Sequence, residues 1–136
     1  MQTLPHLHFR GNCREALDFY AATLGGRIPF AMSYGESPAA AETPPAMRQQ
    51  IIHARLEFGG AAIAGCDVPP ERYQRPQGFN VIAAVPQLNE ASRIFATLAA
   101  GGSILMPFGP TFWAAGFGMC TDRFGIPWMV NCEKTA

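Results

Sequence analysis

The sequence predicts an α+β fold made of two tandem βαβββ modules, in which the strands form a curved mixed sheet. The main observation is an internal repeat, because the first half contains EALDFYAATLGG and the second contains EASRIFATLAAGG. A turn and a cysteine also repeat, since Phe58-Gly59 and Cys66 lie 66 residues before Phe124-Gly125 and Cys132. Each half therefore follows the order strand, helix and three strands.

The first module is predicted over residues 1–66, and residues 67–78 are predicted to be a linker. Asn12 followed by Glu15 resembles a capping box, and the helix after it runs with helical apolar spacing to about Leu24. Gly25-Gly26 ends this helix in the usual way. Strands are predicted at residues 4–9, 27–34, 50–58 and 61–66, with a loop at residues 35–45.

The second module is predicted over residues 79–133, so that residues 1–136 form one domain. Its helix covers residues 89–100 and ends at Gly101-Gly102. Its strands are predicted at residues 79–85, 103–108, 112–121 and 126–132, and the turn between the last two is Asp122-Arg123-Phe124-Gly125.

Composition excludes several classes of partner. The 136 residues are 49% apolar, and ten basic side chains balance ten acidic ones, so neither disorder nor nucleic-acid binding is expected. No apolar run reaches the ~20 residues of a membrane span, and no signal peptide is expected at the N-terminus. The four cysteines form no C-x-x-C pair, which favours free thiols in a reducing cytoplasm.

One βαβββ module leaves one sheet face uncovered, and pairing two modules covers these faces. The sequence therefore predicts a half-barrel cleft that takes a small-molecule ligand. A homodimer would extend the same pairing between chains.

Three segments carry a family resemblance, namely LHFRGNCREALDFYAATLGG, HARLEFGG and GPTFWAAGFGMCTDRFGIPWMVNCE. With them the chain resembles the vicinal oxygen chelate superfamily, which includes glyoxalase I, extradiol dioxygenases and the fosfomycin and bleomycin resistance proteins. It is most similar to the PhnB-like branch, whose members often carry the name 3-demethylubiquinone-9 3-methyltransferase. The resemblance implies a glyoxalase-like fold.

Methyltransferase chemistry is not expected from the residues. Common AdoMet-dependent enzymes have a Gly-rich loop that leads from the first strand of a doubly wound domain into a helix. Here Gly59-Gly60 lies between two predicted strands, and no G-x-G-x-x-G is present.

The resemblance implies metal ligands on the first and last strand of each module. Carried across, these positions are Pro5 or His6, then Ile63, Asn80 and Met129. Because two of them are apolar, the usual metal site is predicted to be absent, and no cofactor is expected.

The histidines allow two interpretations. His6 and His8 share one strand face and, with His53, could form a three-histidine metal site, although no carboxylate accompanies them. Packed or surface histidines are the plainer interpretation. His53 and Arg55 could instead present a donor pair to an anionic or carbonyl ligand, unless Arg55 pairs with Glu57.

Trp128 is expected in the core, because it alternates with Met129, which is expected to face the cleft. Cys120 and Cys132 are expected to be buried thiols and not nucleophiles. The full set of predicted ligand-binding residues is Leu7, Phe9, His53, Arg55, Asn80, Phe112, Trp113, Met119, Met129 and Asn131.

The function predicted from these observations is small-molecule binding in an aromatic and Met-lined cleft, without the usual metal. Two alternatives stay open. One is a lyase, isomerase or dioxygenase whose acid–base group is His53, and the other is a module whose function is dimerisation.

Overall fold

The computed structural model describes every residue except the C-terminal Ala136 and contains two compact units, Met1–Gln74 and Arg75–Ala136. The elements of the first unit are β1 (His6–Phe9), α1 (Cys13–Leu24), β2 (Arg27–Ser33), β3 (Ile51–Phe58) and β4 (Ala61–Asp67). They form a four-stranded sheet in the order β1-β4-β3-β2. The sheet is mixed, because β1 runs parallel to β4 while the other neighbours are antiparallel.

The core of the first unit lies between this sheet and α1, which packs on β2, β3 and β4. Leu7 and Phe9 of β1 are 2% and 1% exposed, and Leu56 of β3 is fully buried beside Ile63 of β4. A Cβ at Gly65 would lie 3.3 Å from Cys13 Sγ, so α1 approaches the middle of β4 closely. Residues of one parity therefore face the helix, and those of the other parity lie on the opposite face.

The start of α1 is capped by a residue that the sequence analysis placed in the linker. The Asn12 side chain makes no capping hydrogen bond, so the predicted capping box is wrong. Instead Oδ1 of Asp67, at the end of β4, accepts hydrogen bonds from the amides of Gly11 (2.7 Å) and Cys13 (3.0 Å). The carboxylate thus satisfies donors at the helix N-terminus and complements its dipole. Gly25 caps the other end with a left-handed φ of 76°.

The second unit repeats this plan with β5 (Val81–Ala84), α2 (Leu88–Ala99), β6 (Ser103–Gly109), β7 (Ala114–Thr121) and β8 (Pro127–Glu133). Its sheet order is β5-β8-β7-β6, with β5 parallel to β8. Trp128 and Val130 of β8 are fully buried on the α2 side. A Cβ at Gly118 would lie 2.6 Å from Phe95 of α2, so this glycine lets the helix contact the sheet.

The predicted α+β class with two βαβββ units is confirmed, and both sheets keep open edges. The element bounds differ in several places. The loop predicted over residues 35–45 contains two short 3₁₀ turns, Tyr34–Glu36 and Ala40–Glu42, and a third at Pro45–Met47 begins on its last residue. Strand β7 begins at Ala114, so Phe112 and Trp113 precede it. Among the residues described, no helix has the length and hydropathy needed to cross a membrane.

Candidate functional site

The sheet face of the first unit that lies opposite α1 carries several polar side chains, including all three histidines. Alternation along the strands and the strand register place these side chains there, among others: Phe30, Met32, His53, Arg55, Ala64, Cys66, His6 and His8. We call this surface the histidine face. All three histidines are exposed on it, which agrees with the surface interpretation of His6 and His8.

The imidazole rings on the histidine face touch one another. The ring centroids of His6 and His8 are 5.5 Å apart, and those of His6 and His53 are 5.8 Å apart with an interplanar angle of 25°. Phe30 lies on the far side of His53 at 5.8 Å. Burial lowers the pKa of His6, and the nearby charges of His8 and His53 lower it further, so the neutral imidazole is favoured.

Cys66 is the residue that sequence reasoning missed on this face. The nitrogen atoms of His6 and His8 and the sulfur of Cys66 all lie within 4.8 Å of one another. The cause is the parallel register of the first and last strands, which puts His8 beside Cys66 and His6 beside Ala64. Burial raises the pKa of the Cys66 thiol, and the carboxylate of Asp67 adds to this. Strand alternation was the signal in the sequence that could have indicated Cys66, because the histidines of β1 and Cys66 near the end of β4 lie on the same sheet face.

The predicted donor pair of His53 and Arg55 is only partly formed. The two residues share the histidine face, but the guanidinium of Arg55 donates to Glu57 Oε2 at 2.9 Å and to Gln2 Oε1 at 3.2 Å. Arg55 therefore pairs with Glu57, which was the alternative interpretation of this residue. His53 stays exposed on this face, as do His6 and His8.

Leu7, Phe9 and Ile63 were expected to face a ligand or a metal, and these expectations are wrong. All three are at most 2% exposed and lie on the α1 side of the sheet. A count of 66 residues joins Ile63 to Met129, but it does not place the two on equivalent sheet faces. The turn of the first unit closes with the pair Phe58 and Ala61, whereas the longer turn of the second closes with Thr121 and Pro127, so the count does not preserve strand parity.

The corresponding face of the second sheet is apolar. Met119 pairs with Met129, and Ile82 pairs with Met129 from the other side. Both methionines are half-buried, while Trp128 is in the core as predicted. Asn80 is half-buried and lies just before β5, outside the regular strand.

Three aromatic rings lead across this second unit toward Asn131. Phe112 is 88% and Trp113 45% exposed, and their ring centroids are 4.8 Å apart. The Trp113 ring in turn contacts Phe117 at 5.2 Å, and Phe117 pairs with Asn131 in the β7–β8 register. Phe117 was not predicted as a site residue, although it shares strand parity with Met119.

Asn131 lines a cavity of about 410 Å³ in the second unit. The other lining residues are Ala84, Val85, Pro86, Glu133, Lys134 and Thr135. The side-chain oxygen Oδ1 of Asn131 is buried and has no hydrogen-bond partner among the described residues. A buried acceptor without a donor is unfavourable, so the side chain of Asn131 beside this cavity keeps an unmet capacity to accept a hydrogen bond.

The other three cysteines are buried and are not placed to act as nucleophiles. Cys13, Cys120 and Cys132 are buried at 2% exposure or less. Burial raises the pKa of Cys120 to about 11, with the Asp122 carboxylate adding to the effect. Burial also raises the pKa of Cys13, so Cys13 and Cys120 are protonated near neutral pH, as expected for packed cysteines.

Among the metal positions implied by the resemblance, only the one on β1 carries a side chain that fits a cation. His6 of β1 is a suitable ligand, but Ile63 and Met129 do not bind hard or borderline divalent ions, and Asn80 lies before β5, outside the regular strand. Residues of the second unit therefore do not complete the usual ligand set.

The class of protein follows from this fold together with the family match. Residues 3–130 match the Glyoxalase/Bleomycin resistance protein/Dioxygenase superfamily, and the chain belongs to it. Protein YjdN of Escherichia coli K12 is 38% identical over 98% of this chain and 97% of its own.

Two solved structures share the architecture. Protein PA1353 from Pseudomonas aeruginosa superposes with a TM-score of 0.90 at 46% identity, covering 99% of each chain. The PhnB protein from Bacillus cereus, whose name includes 3-demethylubiquinone-9 3-methyltransferase, superposes with a TM-score of 0.83 at 23% identity, covering 97% of this chain and 99% of that one. At this identity the second likeness concerns the fold alone.

Proposed function

We propose that this protein binds a small organic molecule in the cavity of its second unit. The observation that carries the proposal is a cavity of about 410 Å³, a size within the range of ordinary ligand sites, lined by Asn131, whose buried Oδ1 has no hydrogen-bond partner among the described residues. Binding needs no turnover and no metal, which suits a cavity whose lining includes neither histidine nor cysteine.

The lining residues define the chemistry of the ligand. Ala84, Val85 and Pro86 form an apolar wall for a hydrocarbon or aromatic body. Asn131 Oδ1 requires a hydroxyl, amine or amide N–H directed at it. Glu133 and Lys134 supply charges of both signs at the rim, so a neutral or zwitterionic ligand fits better than a highly charged one.

A panel of small aromatic and aliphatic alcohols, amines and amides, measured by ligand-observed NMR and calorimetry, tests the proposal. At least one member should bind saturably, and Asn131→Ala should weaken it about tenfold or more through loss of the acceptor. Asn89→Ala, which changes an exposed asparagine on α2, is the matched control and should bind as the native protein does. Absence of saturable binding across the panel, or equal binding by Asn131→Ala, would contradict the proposal.

A methyltransferase function receives no support from the site. Gly59-Gly60 forms the β3–β4 turn and does not open a helix, and neither sheet is doubly wound. Measured AdoMet binding at micromolar affinity would contradict this part of the proposal.

An enzyme that uses His53 is the second candidate function. It is favoured by the exposure of His53 and by its ring contacts with His6 and Phe30, which fix the imidazole on the histidine face. Once a compound is known to bind, His53→Ala separates the two functions. An enzyme loses turnover in this variant, whereas a binding protein keeps its affinity in the second-unit cavity.

We also propose that the chain acts in the cytoplasm as a homodimer. Strand β6 is an edge strand, and its Ile104, Leu105 and Met106 are 54%, 64% and 40% exposed. Exposed apolar side chains on an unpaired edge favour association with a second copy. Native mass by light scattering should give a dimer, and Leu105→Lys should shift it toward the monomer. Ser92→Lys, a control at an exposed position of α2, should leave the native mass unchanged. A monomeric native protein would contradict the proposal.

A further inference from the structure

We propose that His6, His8 and Cys66 form a binding site for a borderline-soft divalent cation, with Zn²⁺ as the best match. The two imidazoles and the thiol come from β1 and β4 of the first unit, and their ligand atoms lie within 4.8 Å of one another. This set differs from the arrangement implied by the resemblance, in which each unit contributes its first and last strands. It is confined to one unit and uses a thiol.

The spacing suits a tetrahedral ion. Bonds of about 2.0–2.1 Å to nitrogen and about 2.3 Å to sulfur imply ligand atoms about 3.3–3.7 Å apart. The present separations, at most 4.8 Å, exceed this by no more than about 1.5 Å, which small side-chain rotations of His6 and His8 can supply. The backbone need not move, because the β1–β4 register already holds His8 beside Cys66.

The chemistry of the donors selects the class of metal. Two neutral imidazoles and one thiolate are ligands for Zn²⁺ and similar borderline ions, and they disfavour Mg²⁺ and Ca²⁺, which prefer oxygen. Binding displaces the proton of the Cys66 thiol to solvent, so that the thiolate becomes the ligand. No oxidant or reductant is required.

The surroundings permit a cation to enter. His6 and His8 are exposed, and Cys66 is 9% exposed at the base of the cluster, so the site opens to solvent. The positive charge of Arg55 on the same face is compensated by its 2.9 Å ion pair with Glu57. Local charge therefore does not oppose a divalent ion.

Three protein ligands leave a fourth position of the ion free, which is the pattern of zinc sites that bind water or a substrate. The ring of His53 stacks on His6 at 5.8 Å and lies outside the 4.8 Å set. His53 is therefore not one of the three proposed ligands.

The experiment is titration of the untagged, metal-stripped native protein with ZnCl₂ and, separately, with CoCl₂. Zinc should bind at one equivalent per chain by calorimetry. Cobalt should produce a thiolate-to-metal charge-transfer absorption together with the intense visible bands of a tetrahedral ion. Removal of an outer-shell partner lowers metal affinity about 10- to 100-fold. Each of the variants His6→Ala, His8→Ala and Cys66→Ser removes a direct ligand and should therefore lose more zinc affinity than this.

Two matched controls keep the assignment specific. His53→Ala changes an exposed histidine next to the cluster and should stay within about tenfold of the native affinity, since it lies outside the ligand set. Cys120→Ser changes a cysteine of the second unit and should keep both the affinity and the cobalt charge-transfer band. Absence of stoichiometric zinc binding, or a charge-transfer band that survives Cys66→Ser, would overturn the proposal.

A second measurement needs no variant and covers the case in which Cys66→Ser does not fold. Cys66 is 9% exposed, whereas the other three thiols are at most 2% exposed, so a small alkylating reagent should modify Cys66 first in the metal-free protein. One equivalent of Zn²⁺ should slow that modification at least about tenfold, as located by peptide mass spectrometry. Equal rates with and without zinc would overturn the proposal.

Discussion

The indole Nε1 of Trp128 donates a 2.8 Å hydrogen bond to Oδ2 of Asp122, and both side chains are buried. The other oxygen of the same carboxylate accepts the amides of Phe124 (2.8 Å) and Ile126 (3.0 Å). One carboxylate therefore organises the β7–β8 turn and anchors the largest side chain of the second core. A buried carboxylate is stable here because several donors replace its hydration.

Replacing Trp128 with Phe should lower the free energy of unfolding by about 3 kcal/mol, since it removes both an indole donor and buried ring volume. Urea denaturation followed by circular dichroism measures the change. The control is Trp113→Phe, at a position 45% exposed before β7, and its effect should stay within about 0.5 kcal/mol. Equal losses in the two variants would show that the hydrogen bond and burial of Trp128 do not stabilise the fold.

Replacing Asp67 with Asn should destabilise the first unit by about 2 kcal/mol, because the carboxylate joins three parts of the unit. Its Oδ1 accepts the amides of Gly11 and Cys13, and its Oδ2 accepts the amide of Ile51 at 2.9 Å. The measurement is again the urea midpoint. Asp18→Asn, which breaks only an exposed pair with Arg14, should change stability by less than about 0.5 kcal/mol.

The architecture could be predicted from the sequence because the repeat, the helix spacing and the glycine turns all depend on local structure. It was insufficient for contacts that depend on strand register. Asp67 was assigned to a linker, yet it ends β4 and caps α1 across more than fifty positions of sequence. The proximity of Cys66 to the histidines has the same origin, because only the parallel β1–β4 pairing brings them together.

Strand parity explains which site residues were placed correctly. Met129 and Asn131 were assigned to the face opposite Trp128 by alternation within one strand, and this assignment is confirmed by their half-buried positions. Ile63 was carried across from the family's metal positions as the counterpart of Met129, and that assignment is wrong because the β3–β4 and β7–β8 turns differ in length. Alternation is reliable within a strand, but a turn must be known before parity can pass to the next one.

Gly102→Ala should lower stability by about 2 kcal/mol or more, because a Cβ there overlaps the backbone carbonyl oxygen of Thr121. Backbone cannot rotate away as a side chain can. Gly60→Ala is the matched control, since a Cβ at this turn position meets nothing within 4 Å and its φ is not left-handed. Thermal unfolding should separate the two variants by several degrees. Similar melting temperatures would contradict the close approach at Gly102.

Stability should fall as the pH rises from 9 toward 11, in part through Cys120. The unfolded thiol has an ordinary pKa of 9.0, and the folded pKa is raised to about 11, so the folded state holds the proton more tightly within this window. Unfolding therefore releases a proton there and becomes easier as the pH rises. Cys120→Ser should show a flatter decline than the native protein in urea midpoints across this range. Parallel declines would contradict a raised pKa at Cys120.

Asn131→Leu should leave the free energy of unfolding unchanged or raise it by about 1 kcal/mol, because it removes a buried acceptor that lacks a donor. Ligand binding in the cavity should be lost in the same variant, so stability and affinity should change in opposite senses. Asn131→Asp is the contrasting variant, since a half-buried charge in place of the amide should lower stability. Urea denaturation gives the stability and calorimetry the affinity. A loss of stability in Asn131→Leu as large as in Trp128→Phe would show that the Asn131 amide serves the fold and not a ligand.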